Sequence, residues 1–249
     1  MKITWLGQAG LLFEKDNYKI MIDPYLSDSV EEVNPQNYRR IGVKNEFFHI
    51  CPDMMIFTHN HLDHFDPETV KRFITPETDM TVLSPLSVWK TVRQIGGKNN
   101  YVMFNRGTTW TENGIKFTAV KAEHSDEHSI GVIIEDGYKK YYVTGDTLYN
   151  EDVIKDIHDN IYAIFLPVNG VGNNMNMDDA KAFCEKINPQ FAVPIHYGMF
   201  DDIDASKFAY KRVILPKIYK EEEMAAEQEQ EFEMEGMKGI QGMSGMSGM

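Results

Sequence analysis

Thr58-His59-Asn60-His61-Leu62-Asp63-His64 follows the apolar run Met54-Met55-Ile56-Phe57 and gathers three histidines and one aspartate into six residues. Imidazole nitrogens and carboxylate oxygens are ligands that Zn2+, Mn2+ and Fe2+ accept. Residues two apart on an extended segment point to the same side, so His59 and His61 can share one ion. Asp63 and His64, at the turn into the next element, can address a second ion nearby. A hydrogen-bonded histidine cluster without metal is the bland alternative. Four such side chains at the end of a buried strand favour the metal reading.

Upstream, strand signals dominate. Ile3–Leu6 and Leu11–Glu14 flank Gly7-Gln8-Ala9-Gly10, and Tyr18–Asp23 follows the polar turn Lys15-Asp16-Asn17. Residues 26–50 show no clear period and read as an irregular insertion of the kind that walls a pocket. Asp53–Thr58 is a short buried strand that delivers the histidine cluster. Asp66 then reads as a helix N-cap, with Pro67 in the first helical position.

Downstream, a strand near Met80–Leu83 precedes a helix over Leu86–Ile95, which Gly96-Gly97 ends. Further strands fall near Tyr101–Phe104, Gly114–Val120, Ser129–Glu135 and Lys139–Thr144, with Asp136-Gly137 as a hairpin turn. Strands Ile161–Pro167 and Phe191–Ile195 bracket a helix over Asp178–Ile187, and a short helix is predicted over Ala205–Lys211. The order is β-rich, mixed, β-rich, mixed. That points to an α/β (α+β) fold whose two sheets pack face to face with helices outside, a four-layer αββα sandwich. No repeat of solenoid or propeller period is present.

A two-metal site needs more ligands than the cluster supplies. His124 follows the strand ending at Val120, Asp146 follows Tyr141–Val143, and His196 follows Phe191–Ile195. All three are expected where strands leave the sheet, converging on one rim with the cluster. His128 is open to an outer-layer, substrate-contact or surface role, whereas His49 and His158 read as surface or packing residues.

Composition bounds the rest. The 249 residues carry a formal charge of −13. Setting aside the eight glutamates of 221–235 and Lys238 leaves 30 acidic and 24 basic residues over 1–220, a net of −6. A mildly acidic body argues against a nucleic-acid partner. No apolar run reaches the roughly 18 residues of a membrane span, and the start shows no signal peptide, so a cytoplasmic location is expected. Cys51 and Cys184 read as buried thiols. Residues 1–219 form the expected folded domain, 220–235 an acidic, helix-prone segment, and 236–249 a Met/Gly-rich tail expected to be disordered.

The order His-x-His-x-Asp-His, then His124, then Thr144-Gly145-Asp146-Thr147, then Pro194-Ile195-His196-Tyr197-Gly198 resembles the metallo-β-lactamase superfamily. Trp5-Leu6-Gly7-Gln8-Ala9-Gly10, Ile22-Asp23-Pro24 and the Pro-Ile-His-Tyr-Gly motif look like its ascorbate-6-phosphate lactonase-like branch, over about residues 1–215. His124 departs from the lactonase's own pattern, so that the full ligand set resembles the broader relatives of that branch, some of which carry histidine at the position of Gln8. The resemblance implies that His59, His61 and His124 hold a first metal, and Asp63, His64 and His196 a second. Asp146 would bridge the two. It further implies two divalent ions, Zn2+ or Mn2+, and a metal-bound hydroxide that attacks a lactone carbonyl or a phosphoryl centre, with Asp63 as base.

The expected substrate is a small, anionic metabolite such as a phosphorylated sugar lactone, which Tyr38, Arg39, Arg40, Lys44 and Arg106 are candidates to grip. A phosphodiesterase or nuclease, and a non-catalytic metal sensor, are the rival readings. No membrane partner is expected, and a homo-oligomer is compatible with the sequence.

Overall fold

The computed structural model describes residues 1–158 and 160–223. Strands β1 (Lys2–Gly7), β2 (Gly10–Lys15), β3 (Tyr18–Ile22), β4 (Met54–Ile56), β5 (Thr81–Ser84) and β6 (Asn100–Met103) build the first sheet in sequence order. The first three pair antiparallel, and β3 to β6 pair parallel. β7 (Thr109–Glu112), β8 (Ile115–Lys121), β9 (Ile130–Glu135), β10 (Lys140–Val143), β11 (Ala163–Pro167) and β12 (Phe191–Ile195) build the second. Here β7 to β10 are antiparallel, and β10 to β12 parallel.

Period-two alternation of apolar side chains fixes the layers. Ile3, Leu11, Phe13, Ile20, Ile22 and Ile56 of the first sheet meet Phe117, Val132, Tyr141, Phe165 and Val193 of the second in one buried inter-sheet core. Their neighbours Leu12, Met21, Met55 and Val82 face the other way, onto helices α2 (Pro67–Phe73) and α3 (Leu86–Val92). On the far side Ile133, Tyr142, Ile164 and Ala192 face α4 (Glu151–Ile154) and α5 (Met177–Ile187). The expected αββα sandwich is the observed architecture.

Local signals behave as their chemistry dictates. Asp66 caps α2, accepting from the amides of Glu68 and Thr69 at 3.1 Å each. Asn176 closes a capping box at the start of α5. The 26–50 insertion holds only a five-residue helix α1 (Ser29–Val33) and a 3-10 turn over Asn45–His49.

Four readings need correction. The strand β7 was not foreseen, because Thr-Trp-Thr-Glu alternates between half-buried and exposed positions and lacks an apolar face. The helix expected over Ala205–Lys211 is a single 3-10 turn, Ala205–Lys207. Beyond it the chain extends the second sheet, with Ala192 N bonded to Arg212 O at 2.9 Å and Ile214 N to Ala192 O at 2.9 Å. Cys184 is buried as expected, but Cys51 is exposed. The segment read as helix-prone from 220 begins with strand β13 (Glu221–Glu223), paired antiparallel with β1. The remainder of that segment and the Met/Gly-rich tail lie outside the described residues. Among the described residues, no helix is long and apolar enough to cross a membrane.

Candidate metal centre

Each expected ligand leaves the sandwich at the same rim. His59, His61, Asp63 and His64 follow β4; His124 follows β8, Asp146 follows β10 and His196 follows β12. Sheet-to-sheet bonds hold that rim closed: Ile130 N donates to Thr58 O at 3.0 Å, and His196 N to Gln8 O at 2.9 Å. Gly145 lets the Asp146 loop cross Thr58. Its φ is +62°, and a Cβ there would sit 2.8 Å from Ile130 O and 3.0 Å from Thr58 Cβ.

The ligand atoms fall into groups. One comprises His59, His61 and His124, another Asp63, His64 and His196, each with its donor atoms within 4.8 Å of one another. His61 Nδ1 lies 3.0 Å from His124 Nε2. His196 Nε2 lies 3.3 Å from His64 Nε2 and 3.3 Å from Asp63 Oδ2. Asp146 sits between the groups. Its Oδ1 is 3.3 Å from the Nε2 of both His64 and His196, and its Oδ2 is 3.9 Å from His124 Nε2.

A third grouping, Asp23 with His59 and His64, has a different character. Asp23 Oδ2 accepts from His64 Nδ1 at 2.9 Å and from Thr58 Oγ1, while Oδ1 accepts from Thr58 N at 2.8 Å. Thr58 Oγ1, having donated its proton, is 3.0 Å from His59 Nδ1 and accepts from it. One fully buried carboxylate thus places protons on the Nδ1 atoms of both rings and turns both Nε2 atoms toward the centre. His59 Nε2 is buried and has no hydrogen-bond partner, which costs free energy unless a metal takes the lone pair. The residues present therefore fit a metal.

Other polar groups orient the remaining ligands. Asn174 Nδ2 donates to Asp146 Oδ2 at 2.8 Å, and Gln8 Nε2 to Asp63 Oδ2 at 2.8 Å. The Asn169 amide lies 3.0 Å from His196 Nδ1, and its Oδ1 has no other partner. With that oxygen turned to His196, Nδ1 keeps its proton and Nε2 faces the centre. Three of these residues hold left-handed backbone: Gln8 at φ 49°, Asp23 at 44° and His196 at 60°. Such conformations cost about 1–3 kcal/mol each and persist where surrounding bonds fix them.

Electrostatics tie the groups together before any ion binds. Burial works against charge on His64, but Asp146, Asp63 and Asp23 carry it well above the ordinary histidine value. His196 is raised in the same way, with Asp146 and Asp63 overcoming its burial. Burial opposes ionisation of Asp63 and Asp146 too, and the neighbouring His64 and His196 hold both below the ordinary carboxylate value. His59 and His124 are lowered, chiefly by burial.

The remaining candidates lie elsewhere. His49 and His158 are exposed; His128 is half-buried beside Arg106 and Lys121, outside the ligand groups. Four of the five candidates to grip a phosphate, for each of which an ordinary surface role is the default reading, are held in other contacts. Arg39 donates to Tyr25 O and Tyr219 Oη, Arg40 pairs with Asp202, Lys44 with Glu46, and Arg106 with Asp156. The fifth, Tyr38, is stacked under the Arg40 guanidinium.

A cavity of about 440 Å3 opens onto Asp63, His196 and Gln8. Asn169 and Asn174 line its polar side, and Val30, Val171 and Phe200 its apolar side. Val30 and Asn37 come from the 26–50 insertion, which walls the pocket as expected.

Residues 2–196 match the model of the beta-lactamase superfamily domain, and the solved structure of Igni18, a metallo hydrolase from Ignicoccus hospitalis, shares the fold. That structure superposes with a TM-score of 0.71 at 23% identity, covering 90% of this chain and 99% of its own. UPF0173 metal-dependent hydrolases from Carboxydothermus hydrogenoformans and Methanocaldococcus jannaschii are each 30% identical. The matches cover 82% and 87% of this chain, and 88% and 97% of theirs. The chain belongs to the metallo-β-lactamase superfamily, within its UPF0173 metal-dependent hydrolase family.

Proposed function

We propose that this protein is a hydrolase that uses two divalent ions, Zn2+ or Mn2+, on a small metabolite, with a sugar lactone as the substrate class. The observation that carries the reading is the pair of ligand groups flanking Asp146, one of them containing the orphaned Nε2 of His59. His59, His61 and His124 would hold one ion and Asp63, His64 and His196 the other, with Asp146 placed between the two groups. The bound ions supply Lewis acidity, bringing the pKa of water from about 15.7 to about 7 and taking up charge on the substrate oxygen.

The chain's own residues do the rest. Asp63, oriented through Oδ2 by Gln8, takes the proton of the attacking water. Asn174 fixes Asp146, and the Asn37 and Asn169 amides hydrogen-bond substrate hydroxyls. Val30, Val171 and Phe200 cover the substrate's carbon face and exclude water. The cavity volume falls in the range of small-molecule sites. Among the described residues, no lysine or arginine lines it. The phosphate of a phosphorylated sugar lactone, the specific form implied by the lactonase-like motifs, would therefore rely on the ions.

The test is turnover by chelator-stripped protein reloaded with Mn2+ or Zn2+. A sugar lactone, its phosphorylated form and a generic phosphodiester are assayed side by side, with Asp63→Asn as control. Lactone turnover that needs both metal and Asp63 supports the reading, and the ratio of the two lactones decides the role of phosphate. Phosphodiester turnover alone replaces the lactone with a phosphoryl substrate. Metal retention without turnover of any of the three removes the lactone assignment.

A further inference from the structure

The loop between β8 and β9, residues 122–129, brings more than His124 to the metal centre. Its Asp126 is buried and accepts three hydrogen bonds. Oδ1 takes the amide of His128 at 2.9 Å, which shapes the loop itself. Oδ2 crosses to the first sheet, taking the amide of Asn60 at 3.1 Å and the hydroxyl of Ser87 at 2.6 Å. Asn60 stands between His59 and His61, and Ser87 lies in the first turn of α3. Just after the loop, Ile130 N reaches Thr58 O. Bonds from the second sheet therefore grip the backbone on either side of His59.

Ser125, next to Asp126, addresses a ligand directly. Its Oγ lies 3.2 Å from His61 Nε2. By accepting there it keeps the ring proton on Nε2 and leaves Nδ1, the atom 3.0 Å from His124 Nε2, to a metal. His124 is turned in the complementary sense. Its Nδ1 lies 3.2 Å from Asn173 O, a pure acceptor, so Nδ1 carries the proton and Nε2 faces His61. None of these bonds reaches Asp63, His64 or His196, which Gln8, Asp23 and Asn169 orient instead.

We propose that Asp126, with Ser125 beside it, is a positioning residue for the first ligand group alone, setting the spacing of His59, His61 and His124. That group takes two ligands from the first sheet and one from the second. Metal–ligand distances tolerate only about 0.2 Å of error, so the spacing must be fixed by bonds that cross between the sheets. Asp126 makes such a bond directly between two of the ligands. The inference rests on the two-metal reading of the centre.

Stepwise Zn2+ affinity of the full chain, read by competition against a chromophoric chelator, tests it without recourse to turnover. Asp126→Asn keeps the side-chain volume but sets an NH2 against the amide of Asn60 or of His128. One binding step should weaken at least about tenfold and the other stay unchanged. Visible absorption of the Co2+-loaded chain, which follows ligand geometry, should change in the bands of one ion only. Ser125→Ala, at an exposed position, should weaken the same step and keeps the proposal testable if Asp126→Asn fails to fold. Asn169→Ala acts on the second group, so the double variant Asp126→Asn/Asn169→Ala should weaken both steps. Lower thermal stability of the stripped protein with both affinities unchanged would make Asp126 a structural clasp only and overturn the proposal, as would equal weakening of both steps. Wild-type protein that binds fewer than two ions would instead refute the two-metal reading itself.

Discussion

Replacing Asp23 with asparagine should weaken both proposed metal sites at once, although Asp23 faces the Nδ1 side of the rings and not the centre. The carboxylate is fully buried and accepts three hydrogen bonds, two of them through Oδ2 from Thr58 Oγ1 and His64 Nδ1. An asparagine that keeps its oxygen toward Thr58 N turns its NH2 against those two donors. The flipped amide instead sets NH2 against the Thr58 amide. Either way at least one charge-assisted bond is lost, and such bonds contribute about 1.5–3 kcal/mol each. The metal-free chain should lose about 2–4 kcal/mol, including the donor left facing a donor.

The effect on metal follows from the relay. His64 loses its direct acceptor, and His59 loses the fixed Thr58 hydroxyl that holds the proton on Nδ1. Loss of such an orienting partner costs about 10–100-fold in metal affinity. Because His59 and His64 belong to different ligand groups, both binding steps should weaken by that factor. Asn169→Ala touches only His196 and should weaken one step. Competition against a chromophoric chelator resolves the two steps, and thermal unfolding of the stripped protein reads the stability term. Wild-type affinity for both ions in Asp23→Asn would refute the relay. Weakening of a single step would show that Thr58 does not carry the effect to His59.

Three further outcomes follow from the same geometry. Gly145→Ala forces a Cβ to within 2.8 Å of Ile130 O at φ +62°. It should cost about 1–3 kcal/mol in unfolding free energy and loosen metal through the adjacent Asp146, and an unchanged melting temperature would contradict the close approach. Thiol titration of the native protein should show one fast cysteine, the exposed Cys51. Cys184, buried with its thiol pushed up to about 12, should react only on unfolding, so two fast thiols would count against its packing. In the metal-free protein the raised His64 and His196 stabilise the fold below the ordinary histidine value and lose that contribution as pH rises through their folded values. The lowered Asp63 and Asp146 contribute above the ordinary carboxylate value and lose it as pH falls. Ions displace the histidine protons, so the melting-temperature gain from metal should grow between about pH 5.5 and pH 8. A gain that shrinks over that range would refute the protonated state of the two rings.

Much of this was legible in the chain itself. Near-continuous apolar runs such as Tyr141–Val143 announce strands that are apolar on both faces, which requires layers on both sides. The candidate ligands were readable as one group because they sit close after such strands. What stayed hidden is tertiary. Gln8 lies 188 residues from His196 and Asp23 lies 35 from Thr58, and no periodicity encodes which sheet edge meets which. Ile22-Asp23-Pro24 stood out as a motif, yet the role of its aspartate depends on a left-handed turn after β3 that aims the carboxylate beneath two rings. The cations of residues 39–44 illustrate the converse. Their charge suggested substrate contacts, and the fold spends them on Tyr25, Tyr219, Asp202 and Glu46.

The way the ligands are divided between the sheets has a consequence for folding. His59, His61, Asp63 and His64 belong to a loop of the first sheet, and His124, Asp146 and His196 to loops of the second. A small metal domain with that division would need its ion in order to fold. Here the inter-sheet core of Phe13, Phe117, Tyr141 and Phe165 buries large apolar side chains without help from metal. Thr58 O and Gln8 O already receive amides from the opposite sheet. Only part of the rim remains in conflict: the facing His61 and His124 imidazoles and the orphaned Nε2 of His59. The stripped protein should therefore stay folded, with an intact sandwich and a destabilised rim. Ions would add stability in proportion to the logarithm of their concentration over Kd, without being required for the fold. Near-ultraviolet circular dichroism of the stripped chain decides this, since collapse of its aromatic signal would mean that the metal, and not the core, joins the sheets.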